Sequence, residues 1–148
     1  MKRILFIATS LILSLSAQAQ ILTPVKWSYL AKKTSKTEAI LMIRATMDHG
    51  WHIYSQTVPD GGPIRTSFSF KPAKTFSLLG TMVEPKPITK FEKTFDMSVS
   101  YFEKTVTFQQ KIKVSAGKIL IKGSVEFATC NDLGCLPPET ISFSIPVS

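Results

Sequence analysis

The two cysteines of this 148-residue chain, Cys130 and Cys135, are the residues whose type and spacing most directly suggest chemistry. They are the only cysteines, and residues 136–140, Leu-Pro-Pro-Glu-Thr, follow them at once. In an oxidising compartment such a pair is a disulfide by default. A disulfide is either a structural crosslink or a reagent in thiol–disulfide exchange, and the spacing alone leaves both interpretations open.

This disulfide would close only a small ring, so it would stabilise the fold little as a structural crosslink. A crosslink of this length removes little entropy from the unfolded chain, on the order of 2 kcal/mol in the loop-closure model. A domain of this size buries enough apolar surface to fold without that help.

The first 19 residues predict an export signal. Lys2 and Arg3 form a basic start, residues 4–15 are mostly apolar, and residues 17–19, Ala-Gln-Ala, offer a cleavage site between small residues. We therefore expect a secretory signal peptide over 1–19, one mature domain over 20–148, and a periplasmic location. No later segment approaches the ~18 consecutive apolar residues of a membrane span, so no membrane insertion is expected.

The formal net charge of +8 does not come from a basic block, because the lysines are scattered along the chain. Such a distribution is typical of a solvated surface, although a basic face for acidic partners stays open. Export also argues against nucleic acid as a partner.

The chain after residue 24 has the β-branched and aromatic composition of strands. Clusters of glycine and proline separate these segments, and no window shows a helical period with caps. The pattern predicts an all-β protein, an immunoglobulin-like antiparallel β-sandwich. The predicted strands are 25–30, 38–47, 51–56, 66–70, 76–83, 99–102, 105–114, 118–127 and 141–147.

The cysteines fall in the connection between the last two predicted strands. A loop carried on a rigid sandwich is where such folds usually place function. Pro137 and Pro138 cannot donate backbone hydrogen bonds and stiffen the exit from Cys135. That rigidity would either hold Cys135 for attack by a partner thiol or simply end the hairpin.

At these residues the chain resembles the N-terminal periplasmic domain of the disulfide reductase DsbD. Cys130, Cys135 and residues 136–140 are close to the family's cysteine, aromatic, Pro-Pro-Glu-Thr signature. Residues 48–54, Asp-His-Gly-Trp-His-Ile-Tyr, look like its Asp-Gly-aromatic-aromatic-Leu-Tyr segment. The resemblance covers nearly the whole mature chain and implies an immunoglobulin-like fold.

The resemblance implies a role in thiol–disulfide exchange. Family members take electrons from a thioredoxin-like domain and pass them to oxidised periplasmic thiol proteins, such as DsbC and cytochrome c maturation factors. By resemblance, Cys135 is the cysteine that the upstream thiolate attacks, and Cys130 is its resolving partner. Thiolate attack on sulfur implies no metal or organic cofactor. The expected partners are thioredoxin-fold proteins, contacted transiently by a monomer.

The resemblance also implies a lid and aromatic neighbours beside the disulfide. Phe95, within residues 91–96, matches the cap-loop phenylalanine that shields the sulfurs, and an ordinary core aromatic is the alternative. His52 and Tyr54 match two aromatic neighbours on one strand face. His52 would lower a cysteine pKa or relay a proton, and a partly exposed histidine without such a role is the alternative.

Two departures from the family pattern leave the pathway open. Family members have one more residue between the cysteines, and no thioredoxin-like domain or membrane segment is recognisable here. We therefore expect either that a separate protein supplies the electrons or that the chain is a stand-alone relative whose partners have changed. A role as an oxidant would differ from a role as a reductant only in the reduction potential of the cysteine pair, and no sequence motif indicates that potential. The alternative function is a non-catalytic β-sandwich that binds a protein or ligand and contains a structural disulfide.

Overall fold

The computed structural model describes residues 22–115 and 117–148, and the predicted signal peptide lies outside these residues. The described chain contains twelve β-strands and no α-helix. The strands are β1 Val25–Lys33, β2 Glu38–Met47, β3 His52–Tyr54, β4 Ser67–Phe70, β5 Phe76–Val83, β6 Ile88–Glu92, β7 Met97–Glu103, β8 Thr105–Val114, β9 Ile119–Phe127, β10 Thr129–Asn131, β11 Gly134–Cys135 and β12 Glu139–Val147.

Across both described stretches, no helix has the length and apolar character needed to cross a bilayer.

The strands form three antiparallel sheets in an immunoglobulin-like β-sandwich, which confirms the predicted fold class. One sheet has the order β1-β2-β8-β5, a second has β11-β10-β3-β7-β6, and a third has β12-β9-β4. In β2 the residues at 39, 41, 43, 45 and 47 are buried, and every second residue of β8 is buried from Val106 to Val114. This alternation is the two-residue period of a strand with one face in the core.

The core consists of two large apolar clusters between the sheets. The first lies between β2 and β8 on one side and β9 and β12 on the other. It contains Ala39, Leu41, Ile43, Ile112, Val114, Ile119, Ile121, Phe143, Ile145 and Val147. The second extends toward the sheet that carries the cysteines. It contains Val25, Ala45, Met47, Ile53, Phe102, Val106, Phe108, Val125 and Phe127.

The observed strands differ from the sequence prediction mainly near the cysteines. β2, β5 and β8 have the predicted bounds, whereas the predicted strand 51–56 is reduced to His52–Tyr54. Three further strands were not predicted: β6, β10 and β11. β6 follows Pro85-Lys86-Pro87 and has no buried residue, and β10 and β11 are too short to show a period.

Candidate functional site

Cys130 and Cys135 are joined by a disulfide, with their Cα atoms 4.0 Å apart. Cys130 lies on β10 and Cys135 on β11, directly opposite each other in the antiparallel ladder. The Asn131 side chain holds the turn between them, since its Oδ1 accepts hydrogen bonds from Leu133 N at 2.9 Å and Gly134 N at 3.1 Å. The disulfide therefore lies on a short, internally bonded hairpin at one edge of the five-stranded sheet.

The two cysteines differ sharply in exposure. Cys130 is 2% exposed, whereas Cys135 is an exposed residue on the edge strand. After Cys135 the chain is tied back to β10, because Leu136 N donates to the Thr129 carbonyl at 2.9 Å. An incoming thiolate therefore reaches Cys135 more readily than Cys130.

Cys130 packs on a small apolar cluster beneath the disulfide. This cluster contains Tyr54, Val58, Val99, Ala128 and Cys130, and Met97 and Tyr101 pack against it. Tyr54 is only 3% exposed, and its backbone carbonyl accepts a hydrogen bond from Thr66 Oγ1 at 2.6 Å. The buried sulfur thus has a packed apolar support, and the exposed one faces outward.

The strand register aligns the disulfide with His52. Cys135 lies opposite Cys130, Cys130 opposite His52 on β3, and His52 opposite Glu103 on β7. Side chains of directly opposed residues project from the same face of a sheet and lie as near neighbours. The imidazole is therefore the neighbour of Cys130 on the side away from Cys135.

His52 lies among aromatic rings. Its Nε2 is 3.4 Å from the Tyr54 hydroxyl, and its ring centroid is 5.3 Å from that of Tyr54 and 4.9 Å from that of Tyr101. Burial lowers the pKa of His52, and the negative charge of nearby carboxylates, Glu103 foremost, opposes this only in part. The imidazole is consequently neutral at pH 7. Burial also raises the pKa of Tyr54 and Tyr101, so both hydroxyls stay protonated.

A groove of about 420 Å³ opens beside the disulfide. It is lined by His52, Tyr54, Lys90, Glu92, Thr94, Phe95, Cys130, Asn131, Asp132, Leu133, Gly134 and Cys135. All five residues that the sequence predicted for the site therefore meet in one groove, although their chemical roles stay predictions. Lys90 and Glu92 form an ion pair at 3.3 Å on its β6 side.

Phe95 lies in the turn between β6 and β7. Phe95 N donates to the Glu92 carbonyl at 3.1 Å and Asp96 N donates to the Lys93 carbonyl at 3.3 Å, and Asp96 has a φ of 51°. Phe95 is half-buried and lines the same groove as both cysteines. The turn thus places an aromatic ring at the groove without burying it in the core.

Several groove residues escaped the sequence prediction. Lys90 and Glu92 reach the groove, and Tyr101 reaches His52 beside it, through the pairing of β6 with β7 and of β7 with β3. Alternation along 88–92 could have indicated that Lys90 and Glu92 share a face, but nothing local indicates which strands β6 and β7 join. In the described ranges 22–115 and 117–148, no group of three or more His, Cys, Asp or Glu residues has the arrangement of a metal site.

The model of one protein family, described as "Thiol:disulfide interchange protein DsbD, N-terminal", matches residues 18–146 of the chain. No curated protein matches it.

Several solved domains have the same fold. The reduced DsbD N-terminal domain of Neisseria meningitidis is 17% identical, with a TM-score of 0.56, over 82% of this chain and 84% of that one. The N-terminal periplasmic domain of ScsB from Proteus mirabilis is 16% identical, with a TM-score of 0.57, over 83% of this chain and 45% of that one. The N. meningitidis complex between DsbD and PilB N-terminal domains gives 14% identity and a TM-score of 0.54, over 84% and 87%.

Proposed function

The chain belongs to the family of DsbD N-terminal domains, and from this premise we propose that it relays reducing equivalents through Cys130 and Cys135. The family is one of thiol–disulfide exchange, and the disulfide is present in this chain. In the proposed relay a thioredoxin-like donor reduces the pair, and the pair then reduces oxidised periplasmic thiol proteins, cytochrome c maturation factors among them.

The observation that carries the proposal is the unequal exposure of the two sulfur-bearing residues. A structural crosslink needs no difference between its ends, and it gains nothing from an open groove beside it. Here the outer cysteine lies on an edge strand at the groove, while the inner one is 2% exposed and packed on apolar side chains. Thiolate attack requires access to one sulfur, and this arrangement offers Cys135.

The first half-reaction reduces the pair. A donor thiolate attacks Cys135 Sγ, the bond between Cys135 and Cys130 breaks, and Cys130 leaves as a thiolate. The second donor thiolate then attacks the donor sulfur of the mixed disulfide and releases Cys135 as a thiolate. Two electrons have passed to this domain, and the donor has become a disulfide.

The second half-reaction reverses these roles. The Cys135 thiolate attacks one sulfur of the acceptor disulfide and forms a mixed disulfide, and the other acceptor sulfur leaves as a thiolate. Cys130 then attacks Cys135 Sγ, restores the internal disulfide and releases the reduced acceptor. Burial of Cys130 beside Cys135 keeps the resolving thiol in position for this step.

We assign His52 the role of proton relay for Cys130. Its position opposite Cys130 in the strand register supports this role, as does the burial that lowers its pKa and leaves it neutral at pH 7. A neutral imidazole can accept the thiol proton and return it to the departing thiolate. It has no positive charge with which to lower a cysteine pKa. Tyr54, whose hydroxyl is 3.4 Å from His52 Nε2, would orient the ring.

Phe95 is proposed as the lid over the disulfide. Its place at the groove and the short turn that carries it support this role. An apolar ring there would exclude small thiols and yield to a protein partner that binds the groove.

The proposed partners are thioredoxin-fold proteins, bound transiently in the periplasm. ScsB, which shares the fold, is described as having an N-terminal periplasmic domain, and a DsbD N-terminal domain of the same fold forms a complex with the PilB N-terminal domain. The export signal over 1–19 stays a prediction, which N-terminal sequencing of the exported protein would test.

Trapping of the mixed disulfide tests the proposed function. The Cys130→Ala variant lacks the resolving thiol, so it should accumulate a covalent adduct with a thioredoxin-fold protein through Cys135. The Cys135→Ala variant should form such an adduct much more slowly or not at all. Non-reducing gel electrophoresis and peptide mass spectrometry identify the bond. Failure of Cys130→Ala to form the adduct, with partner binding intact in the double cysteine variant, would instead support a binding module.

A further inference from the structure

A cluster of hydrogen bonds outside the groove joins the end of β3 to the connection between β5 and β6. The Glu84 carboxylate accepts hydrogen bonds from Ser55 Oγ, from Gln56 N at 3.0 Å and from Gln56 Nε2 at 3.2 Å. Ser55 is 0% exposed, and its Oγ also accepts a hydrogen bond from Thr57 N at 3.0 Å. One half-buried carboxylate thus holds three donors from two successive residues.

The contacts of Glu84 are of a strong kind. Hydrogen bonds to an ionised carboxylate are roughly twice as strong as bonds between neutral groups. The Gln56 backbone N–H would lose its carboxylate partner if Glu84 were removed. The cluster is also tied to β7, because Ser55 N donates to the Ser100 carbonyl of that strand at 2.9 Å.

The position of Glu84 links this cluster to the proposed lid. Glu84 lies four residues before Ile88, the first residue of β6, and Pro85 and Pro87 stiffen the connection between them. Among the described strands, β6 is an edge strand that pairs only with β7. Its far end leads directly into the turn that carries Phe95.

From this arrangement we propose that Glu84 is a positioning residue, which fixes the start of β6 and thereby holds Phe95 at the groove beside the disulfide. The inference rests on the lid role assigned to Phe95 under the proposed function. β6 is then held along one side by its ladder to β7 and at its start by the Glu84 cluster. Loss of the cluster leaves only the ladder, and the hairpin opens more often.

The rate at which dithiothreitol reduces the Cys130–Cys135 disulfide tests this inference. It is measured in proteins that contain Phe95 and in proteins that carry Phe95→Ala. Glu84→Ala removes three hydrogen bonds, whose loss is offset in part by hydrogen bonds to water, and a net change of about one to two kcal/mol corresponds to a population change of about 5- to 30-fold. Glu84→Ala should therefore be reduced about 5- to 30-fold faster than the wild-type protein. Glu84→Gln keeps one acceptor oxygen and should fall between the two. Glu38→Ala, which removes an exposed carboxylate at the start of β2, is the matched control and should react at the wild-type rate.

The same change in the Phe95→Ala background separates a positioning role from general loosening of the fold. If Glu84 acts through the lid, Phe95→Ala and the Phe95→Ala/Glu84→Ala double variant react equally fast, so the two effects do not multiply. Effects that multiply, or a wild-type rate in Glu84→Ala, would overturn the inference.

The Phe95→Ala rate by itself reports on the proposed function. If Phe95→Ala reacts at the wild-type rate, the lid role fails and the inference about Glu84 fails with it. If Phe95→Ala is faster and Glu84→Ala is not, only Glu84 loses its role. Should Glu84→Ala not fold, Ser55→Ala removes one of the three donors and should give a smaller acceleration that again vanishes without Phe95.

Discussion

At the scale of single residues, the disulfide combines one protected and one accessible cysteine. Cys130 owes its protection to β10, an inner strand of its sheet, whose side chains at 129 and 130 are buried. Cys135 owes its exposure to β11, the edge strand. The strand positions of the two cysteines, and not their chemistry, therefore separate an accessible cysteine from a buried one.

The difference in exposure predicts a difference in alkylation. In the reduced protein, iodoacetamide should modify Cys135 well before Cys130, because an accessible thiol meets the reagent and a buried one does not. Quenched time points and peptide mass spectrometry give the two rates. Equal rates at the two cysteines would contradict the assignment of Cys135 as the partner-facing residue.

The lowered pKa of His52 predicts that the free energy of unfolding depends on pH. Its pKa in the folded protein is below the ordinary value of 6.5, so near and below pH 6.5 the unfolded chain binds more protons. The stability linked to neutral His52 is thus fully present above pH 6.5 and is lost as the pH falls through the lower folded pKa.

Urea unfolding between pH 7.5 and 4.5 measures this dependence. His52→Ala should lose less stability than the wild-type protein over that fall in pH. His49→Ala, which removes an exposed imidazole outside the groove, is the matched control and should keep the wild-type slope. If the free energy of unfolding of His52→Ala changed with pH as in the wild-type protein, the lowering of the His52 pKa by burial would be contradicted.

The sequence could indicate some of the site residues and not others. Cys130 and Cys135 are indicated by their type and spacing, and His52, Tyr54 and Phe95 were predicted through the family resemblance. Lys90 and Glu92, which line the groove, and Tyr101, which lies beside His52, carry no local signal, because strand pairing brings them there from elsewhere in the chain.

At the scale of secondary structure elements, the inner strands are revealed by the alternation of buried residues, whereas β5, an edge strand without a buried residue, was predicted from its composition. β2 and β8 lie between neighbours and alternate strictly between buried and exposed residues, so their bounds were predicted correctly. β6 is an edge strand with Ile88, Lys90 and Phe91 all exposed, and it leaves no such period. β10 and β11 are defined by pairing alone. The strands that carry the site are therefore the ones that sequence patterns detect least well.

Gly123 on β9 predicts a packing defect on substitution. A Cβ atom there would lie 2.5 Å from Cζ of Phe143 and against the Ser69 carbonyl, since Gly123 lies between β12 and β4. Gly123→Ala should lower the free energy of unfolding by about 1–3 kcal/mol, the usual range for overpacking. Urea denaturation measures it, with Ser142→Ala, an exposed position on β12, as the control. Unchanged stability in Gly123→Ala would show that β4 or Phe143 shifts freely.

In the whole molecule, the large apolar clusters that stabilise the sandwich are separate from the small cluster that supports the disulfide. The two large clusters lie between the sheets, and only the small cluster beneath the disulfide includes a cysteine. The fold class could be predicted from the spacing of strands and turns. The sheet order could not, because nothing in the sequence near β10 indicates that it pairs with β3.

This separation predicts that the fold survives loss of the disulfide. The Cys130→Ala/Cys135→Ala double variant should remain folded and should lose about 2 kcal/mol, the contribution expected from so small a loop. Circular dichroism and urea denaturation test both points. Unfolding of the double variant would mean that the disulfide is a structural requirement, which contradicts a pair that opens in every catalytic cycle.

Exchange of the Cys130–Cys135 disulfide with partner thiols requires a bond that partner thiols can reduce, and its reduction potential measures this property. The potential is measured by equilibrating the mature protein in thiol redox buffers and counting alkylated cysteines by mass. We predict a value between roughly −180 and −270 mV, the range of exchange-active disulfides. A value below about −300 mV, with slow exchange, would identify a structural bond and contradict the relay.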